Sequence, residues 1–365
     1  MSDDRWARAA LSRLTEPCDA RVHALVEKVG PPEAVERICA GAGWLDRFAA
    51  RVRTLDTGRD LEIAAKVGAR LIVPSDPEWP SRLDDLPMPP WCLWVRGPVP
   101  LDLSLRRSVA IVGARMATTY GEQLAAELSA GLADRGWTVV SGAAFGIDGA
   151  AHRGALAVEG TTIAVLASGV DRPYPVAHTT LLRRIVETGA VVSEVAPGCA
   201  PLKSRFLHRN RLIAAMTRGT VVVEAGLRSG SRNTVKHATD LCRPVGAVPG
   251  PVTSMASAGC HQEVRDGRAE LVTSAAEVID LVGDIGGDAV EPSKGQVQQA
   301  DSLGPHDAAV YEALPYRGSL GLDGLAALTT LAPLTVRSAL ARLEQAGLAV
   351  TRDGEWKKAR RRAAS

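Results

Sequence analysis

The chain has 365 residues, 46% of them hydrophobic and 23% charged, with a net charge of +2. That length allows two or three domains, and the composition excludes disordered and fibrous classes. Six scattered cysteines with no Cys-x-x-Cys pair argue against a disulfide framework and a structural zinc site; the expectation for the chain is no metal and no cofactor. No apolar run approaches the ~18 residues that span a bilayer. The acidic start Met-Ser-Asp-Asp lacks a signal peptide's basic end and apolar stretch, so the expected location is cytoplasmic, without a membrane partner.

Residues 1–72 show helical spacing, broken at Gly30-Pro31-Pro32 and Gly41-Ala42-Gly43, and predict a small helical domain. The Pro- and Trp-rich stretch 74–98 reads as a packed ledge without regular elements. From 108 onward, short apolar runs alternate with amphipathic stretches of helix length. The runs are Ser108–Val112, Thr138–Ser141, Thr162–Leu166, Ala190–Glu194, Thr220–Glu224 and Val245–Val248. Helices are predicted near 120–135, 147–158, 178–187, 210–217 and 233–241. The alternation predicts an α/β fold for 73–283, with a doubly wound, mostly parallel, Rossmann-like sheet covered on both faces.

Residues 284–305 are polar and Gly-rich and read as a linker. In 306–365, three helix-like stretches precede an extended Leu348–Thr351 run, a tip at Asp353-Gly354 and a return strand at Trp356. That layout predicts a winged-helix domain with a basic tail. Few basic residues, mainly Arg337 and Arg342, sit on its recognition-helix position, which leaves DNA reading and protein docking equally open.

Positive charge is local. Residues 200–243 hold nine Lys/Arg and two Asp/Glu, a net +7 against −5 for the remainder. At their start stands Lys203-Ser-Arg205-Phe206-Leu-His208-Arg209-Asn210-Arg211, read as a loop at the end of a buried strand. Cations interleaved with an aromatic face suit a single-stranded nucleic acid, whose phosphates are neutralised while a base stacks. A solvated basic loop with Phe206 in the core is the competing reading.

Three further strand ends open into glycine-containing turns: Gly113-Ala-Arg115, Gly142-Ala-Ala-Phe145-Gly146 and Gly226-Leu-Arg228-Ser-Gly230-Ser231-Arg232. Such turns let a backbone approach an anion closely. Together with 203–211 they predict a cationic trough along the carboxyl edge of the sheet. The chain has neither a P-loop nor a Gly-x-Gly-x-x-Gly after its first strand, which argues against an NTP motor and a dinucleotide oxidoreductase. Asp148 and His152, at i and i+4, and Glu224 at a strand end are candidate acid/base groups or, equally, structural ones.

Ser108-Val-Ala-Ile-Val-Gly-Ala-Arg115, Ser141-Gly-Ala-Ala-Phe-Gly-Ile-Asp148 with His152, Phe206-x-x-Arg209-Asn210-Arg211, Ser229-Gly230-Ser231 and Val248-Pro249-Gly250 occur in that order. Over roughly 75–282 the chain thereby resembles the DNA-processing protein A (DprA/Smf) family. The resemblance implies a non-catalytic homodimer that binds single-stranded DNA, protects strands entering in transformation and loads the RecA recombinase. It implies DNA contacts at Arg115, Lys203 and Phe206, with Arg209, Asn210 and Arg211 in the same pocket. Gly113, Gly142, Phe145, Gly230, Ser231 and Arg232 complete the expected trough, Arg232 adding charge. The chain departs from the family pattern at Arg232 and Val235, and again at His261, Glu263 and Arg268, where the departure bears on local packing and the dimer contact.

Two readings from other classes compete. One is a nucleotide-processing enzyme resembling the phosphoribohydrolases that act on nucleoside monophosphates, with Glu224 or Asp148 as acid or base. Their Pro-Gly-Gly-x-Gly-Thr-x-x-Glu signature is missing here. The other is a transcription regulator whose winged helix reads duplex DNA while the α/β domain senses a ligand.

Overall fold

The computed structural model describes residues 3–284 and 303–359 and divides into two compact units, 1–290 and 291–365. The linker expected at 284–305 falls almost entirely outside the described residues, as does the end of the basic tail expected at 352–362.

The first unit is built on a nine-stranded sheet. Its strands are β1 (Ala69–Ile72), β2 (Leu93–Arg96), β3 (Ser108–Val112), β4 (Thr138–Ser141), β5 (Thr162–Val165), β6 (Ala190–Ser193), β7 (Gly219–Val222), β8 (Val245–Ala247) and β9 (Glu270–Leu271). Their order is β1-β2-β6-β5-β4-β3-β7-β8-β9. From β6 to β9 every neighbouring pair is parallel, while β2 pairs antiparallel with both β1 and β6. Strand order reverses between β3 and β7, which opens a crevice beyond their carboxyl ends.

Alternate residues of each strand enter opposite cores. Ala110 and Val112 of β3 join Val140, Val222, Leu212 and Val235 on one face; Val109 and Ile111 join Val139, Val221, Leu128 and Ile147 on the other. The helices Lys203–Met216 and Ser231–Asp240 cover the first face, and Thr119–Asp134, Ile147–Ala157 and Ala275–Val282 the second.

Two strands escape sequence reading. β1 lies at the end of the stretch expected to be purely helical, and β2 in the stretch expected to be an irregular ledge. Each is only four residues long, and their pairing with one another and with β6 supplies the order that local pattern lacks.

The N-terminal helices Asp3–Leu14, Ala20–Val29 and Pro31–Ala40 pack around Leu11, Leu14, Val22, Val35, Ile38 and Phe48. Asp19 caps the second, accepting from the Val22 amide, and Gly41 ends the third in the left-handed region. They belong to the same compact unit as the sheet. Trp94 of β2 donates its indole N–H to Ser12 Oγ at 3.2 Å, and Trp91 donates to Thr15 Oγ1 at 3.1 Å.

In the second unit the helices Pro305–Ala313, Leu322–Thr329 and Pro333–Gln345 enclose Val310, Leu325, Val336, Leu340 and Leu343. An antiparallel hairpin follows, β10 (Ala349–Arg352) and β11 (Glu355–Lys358), turned by Asp353 and Gly354 at φ 55° and 80°. Among the described residues no single helix is long and apolar enough to cross a membrane.

Candidate nucleic-acid interface

A trough of about 880 Å³ lies along the carboxyl edge of the sheet, centred on the reversal of strand order. Its walls are the turn after β3 (Gly113–Met116), Ala144 and Asp148 after β4, Tyr174 after β5, one side of the Lys203–Met216 helix, and the turn from Gly226 to Ser231 after β7.

The turn after β3 is built to hold its arginine outward. The Ala114 amide donates to Glu224 O at 2.6 Å, and the Ile147 amide to Ala114 O at 3.2 Å. Buried Glu224 accepts from the Thr118 amide and hydroxyl. A Cβ on Gly113 would fall against Ile147 and the Glu224 carbonyl, so this approach requires glycine. Arg115 projects into solvent, its guanidinium 4.9 Å from the Phe206 ring centroid.

The basic run is not a loop. Helix begins at Lys203 and continues to Met216, since Lys, Arg and Leu are good helix formers and the charges obscure an underlying period. Helical spacing then sorts the run. Lys203, Phe206, Leu207 and Asn210, at i, i+3, i+4 and i+7, line the trough. Arg205, Arg209 and Arg211 turn inward and are buried.

The three inward cations each have an internal partner. Arg205 makes two 2.8 Å contacts to Glu16 and one to Ala200 O. Arg209 donates to Gly142 O at 2.8 Å and to Val165 O, tying β4 to β5; its guanidinium occupies the space a Cβ on Gly142 would need. Burial, only partly offset by Asp148, lowers the Arg209 pKa to about 10. Arg211 pairs with Glu194 and donates to Cys18 Sγ at 2.9 Å. The expectation that Arg209 and Arg211 present charge to a ligand is therefore corrected. Arg209 lies in the trough floor and Arg211 outside its lining, because a buried guanidinium must be paired.

Arg232 also departs from expectation. Its Nε lies 2.5 Å from Glu263 Oε1, and the other oxygen of Glu263 takes Arg268 at 2.6 Å. The departures at Arg232, Glu263 and Arg268 thus form one ion-pair cluster, and Arg232 adds no free charge to the trough. His261 Nε2 lies 3.1 Å from Gly250 O. Phe145 is 49% exposed but stands off the trough lining, edge-on to His178 at 4.9 Å. Gly230 and Ser231 line the trough with Asn210, whose amide reaches Gly230 O and Asn233 Oδ1 at 3.4 Å.

Asp148 and His152 do not form an acid/base pair. Buried Asp148 accepts from the amides of Gly142 and Ala144, and burial pushes its carboxyl up despite Arg209. His152 Nδ1 meets Thr162 Oγ1 at 2.7 Å, and burial lowers its pKa to about 3, so the ring is neutral. Both serve as supports, as does Glu224. Among the described residues no group of three or more His, Cys, Asp or Glu could hold a metal ion.

Two lining side chains able to meet a nucleic acid, Arg228 and Tyr174, were not among the contacts expected from sequence. Arg228, exposed in the turn after β7, carried a signal: it repeats the glycine-x-arginine pattern of Gly113–Arg115. Tyr174 carried none, standing in an irregular segment between a strand and a helix. Among the described residues no carboxylate pairs with Arg115, Lys203 or Arg228. Three unpaired cations around two rings can hold a flexible polyanion with unstacked bases.

Comparison with known proteins agrees with this architecture. The family model for DNA recombination-mediator protein A matches residues 70–283. A Mycobacterium tuberculosis H37Rv protein that carries the DNA processing protein DprA name is 49% identical over 96% of this chain and 93% of its own. The Streptococcus pneumoniae R6 DNA processing protein DprA is 40% identical over 55% of this chain and 70% of its own. Of solved structures, DNA processing protein A from Streptococcus pneumoniae superposes with TM-score 0.65 at 32% identity, covering 78% of this chain and 99% of that one. A Helicobacter pylori DNA processing protein A, solved in a study of its single-stranded DNA binding mode, superposes with TM-score 0.53 at 29% identity, over 58% and 94%. An α/β fold with a mostly parallel sheet, a match over more than half the length and near-full-length relatives at this identity lead to one conclusion: the chain belongs to the DNA recombination-mediator protein A (DprA/Smf) family.

Proposed function

We propose that this protein binds single-stranded DNA in the trough at the carboxyl edge of its sheet and acts, without a covalent step, as a mediator that passes the strand to RecA. The observation that carries the reading is the grouping of Arg115 and Lys203, exposed and without carboxylate partners among the described residues, around the Phe206 ring. Cations neutralise phosphates while the ring offers a base a stacking surface, and nothing in the site performs chemistry on either. The Helicobacter pylori relative, solved for its single-stranded DNA binding mode, supports the same ligand.

The proposal extends to a cytoplasmic homodimer whose second unit is a winged helix-turn-helix. Residues 303–359 carry six acidic and six basic side chains, and Arg342 is paired with Asp307 at 2.6 Å. That balance favours a protein-docking role for this unit over a phosphate-binding one.

The test is a salt titration of binding to oligothymidine. Arg115→Ala and Lys203→Ala should each reduce the slope of log affinity against log salt by about 0.7. Phe206→Ala should cost about 1–3 kcal/mol with the slope kept. Wild-type affinity in all three variants would end the proposal. RecA filament growth on oligonucleotides already coated with single-strand-binding protein tests the mediator step, and sedimentation tests the dimer.

A further inference from the structure

The trough holds a second ring, and it is the more open of the two. Phe206 is half-buried, with the Arg115 guanidinium 4.9 Å from its centroid and the Tyr174 ring 5.4 Å away, tilted by 55°. A base sandwiched between two rings needs stacking contact of about 3.5 Å on each side, hence about 7 Å between them. No base therefore fits between Tyr174 and Phe206. Each ring can offer only a face turned away from the other, and at Phe206 a base would sit beside the Arg115 guanidinium.

Tyr174 is 41% exposed, lines the trough, and its hydroxyl has no hydrogen-bond partner among the described residues. Its loop is nonetheless fixed. Ser168 Oγ donates to Arg172 O at 2.8 Å, the Gly169 amide to Cys199 O at 3.0 Å, and the Gly198 amide to Asp171 Oδ1 at 2.7 Å. An apolar ring held open to solvent by a pinned loop is pre-organised for a planar ligand.

Topology adds a direction. Tyr174 follows β5 and Arg228 follows β7, three strand spacings away in the order β5-β4-β3-β7, or about 14 Å at about 4.8 Å each. Phe206 stands between Tyr174 and the Arg115 turn after β3, and the turn after β7 supplies a cation and glycines but no ring to the lining.

We infer that Tyr174 is a base-stacking residue, so that the trough takes bases at its β5 end and backbone alone at its β7 end. The inference rests on the single-stranded DNA reading above and names the residue that would read an unstacked base there.

The experiment compares full-length wild type, Tyr174→Ala and Tyr174→Phe on oligothymidine and on an equally long oligomer of abasic residues. Tyr174→Ala should weaken oligothymidine binding at least about fivefold, with Tyr174→Phe close to wild type and the salt slope unchanged. On the abasic oligomer the wild type and Tyr174→Ala should bind alike. Equal binding of oligothymidine by the two, or an equal loss on both oligomers, overturns the inference; the second result would make Tyr174 a support for the trough wall with no part in stacking. A 5-iodouracil oligonucleotide photocrosslinked to wild type gives a readout independent of any variant's folding. Crosslinks on the Tyr174 peptide support the inference, and crosslinks on the Phe206 peptide alone overturn it. Should Arg115→Ala and Lys203→Ala also leave binding intact, the function reading itself falls; should they matter while Tyr174→Ala does not, only this inference falls.

Discussion

Glu224 receives both hydrogen bonds that Thr118 offers, one from its amide at 2.8 Å and one from its hydroxyl at 2.6 Å. A buried carboxylate at the end of β7 thereby fixes the turn after β3, on which Arg115 stands. The Thr118 hydroxyl also caps the Thr119–Asp134 helix through the Gly121 amide. Glu224→Ala should destabilise the protein by about 1–3 kcal/mol in urea denaturation, because buried donors lose their acceptor. It should also weaken oligothymidine binding by loosening the Arg115 turn. Free base released from nucleoside monophosphates by the wild type and not by Glu224→Ala would instead make Glu224 a catalytic group.

Arg209 and Arg228 both line the trough, yet their substitutions should read out differently. Arg209→Ala removes the guanidinium that joins Gly142 O to Val165 O beside Asp148, and should cost about 3–5 kcal/mol of stability. Arg228→Ala should leave the denaturation midpoint unchanged and lower the salt slope of DNA binding by about 0.7. Denaturation and salt titration of the two variants side by side check the distinction.

His152 should make the protein acid-sensitive. Its pKa falls from 6.5 to about 3 on folding, so below 6.5 the unfolded chain takes up a proton that the native state refuses. The stability it contributes is complete above pH 6.5 and is lost as pH falls towards 3, at about 1.4 kcal/mol per pH unit. Asp148 and Glu194 are shifted upward by burial and act in the opposite sense, losing stability as pH rises through their range. The difference between wild type and His152→Gln therefore isolates the imidazole. Urea midpoints at pH 7, 6 and 5 should converge for the two proteins as the wild type loses its advantage.

Glu263 is 2% exposed and lies between Arg232 and Arg268. Glu263→Leu should cost roughly 1–3 kcal/mol by leaving Arg232 without its carboxylate. Combining it with Arg232→Leu should recover part of that loss. A double-mutant cycle in urea checks this: additive costs would mean the two residues are not coupled.

Much of the central sheet could be read from composition. Val109-Ala-Ile-Val112 and its counterparts are apolar on both faces because both faces are covered, and that pattern is local. β1 and β2 were illegible because their order comes from pairing across the chain. The basic run showed its charge but not its sorting. Lys203 and Phe206 differ from Arg209 only in what stands opposite them, and the carbonyls of Gly142 and Val165 leave no mark in sequence. Arg232 and Glu263 were each visible as oddities, but only the fold sets them 2.5 Å apart. Tyr174 needed the loop after β5 to be placed before it meant anything.

The link between Arg205 and Glu16 has a practical consequence for anyone cutting this chain into fragments. A piece limited to 70–283, the span matched by the family model, would lose Glu16, the partner that holds the third residue of the Lys203–Met216 helix. It would also lose Ser12 and Thr15, which cover Trp94 and Trp91. Such a fragment would expose two tryptophans and loosen the start of the helix that bears Lys203 and Phe206. A weak or aggregating fragment would then report the missing N-terminal buttress, and say nothing against the trough.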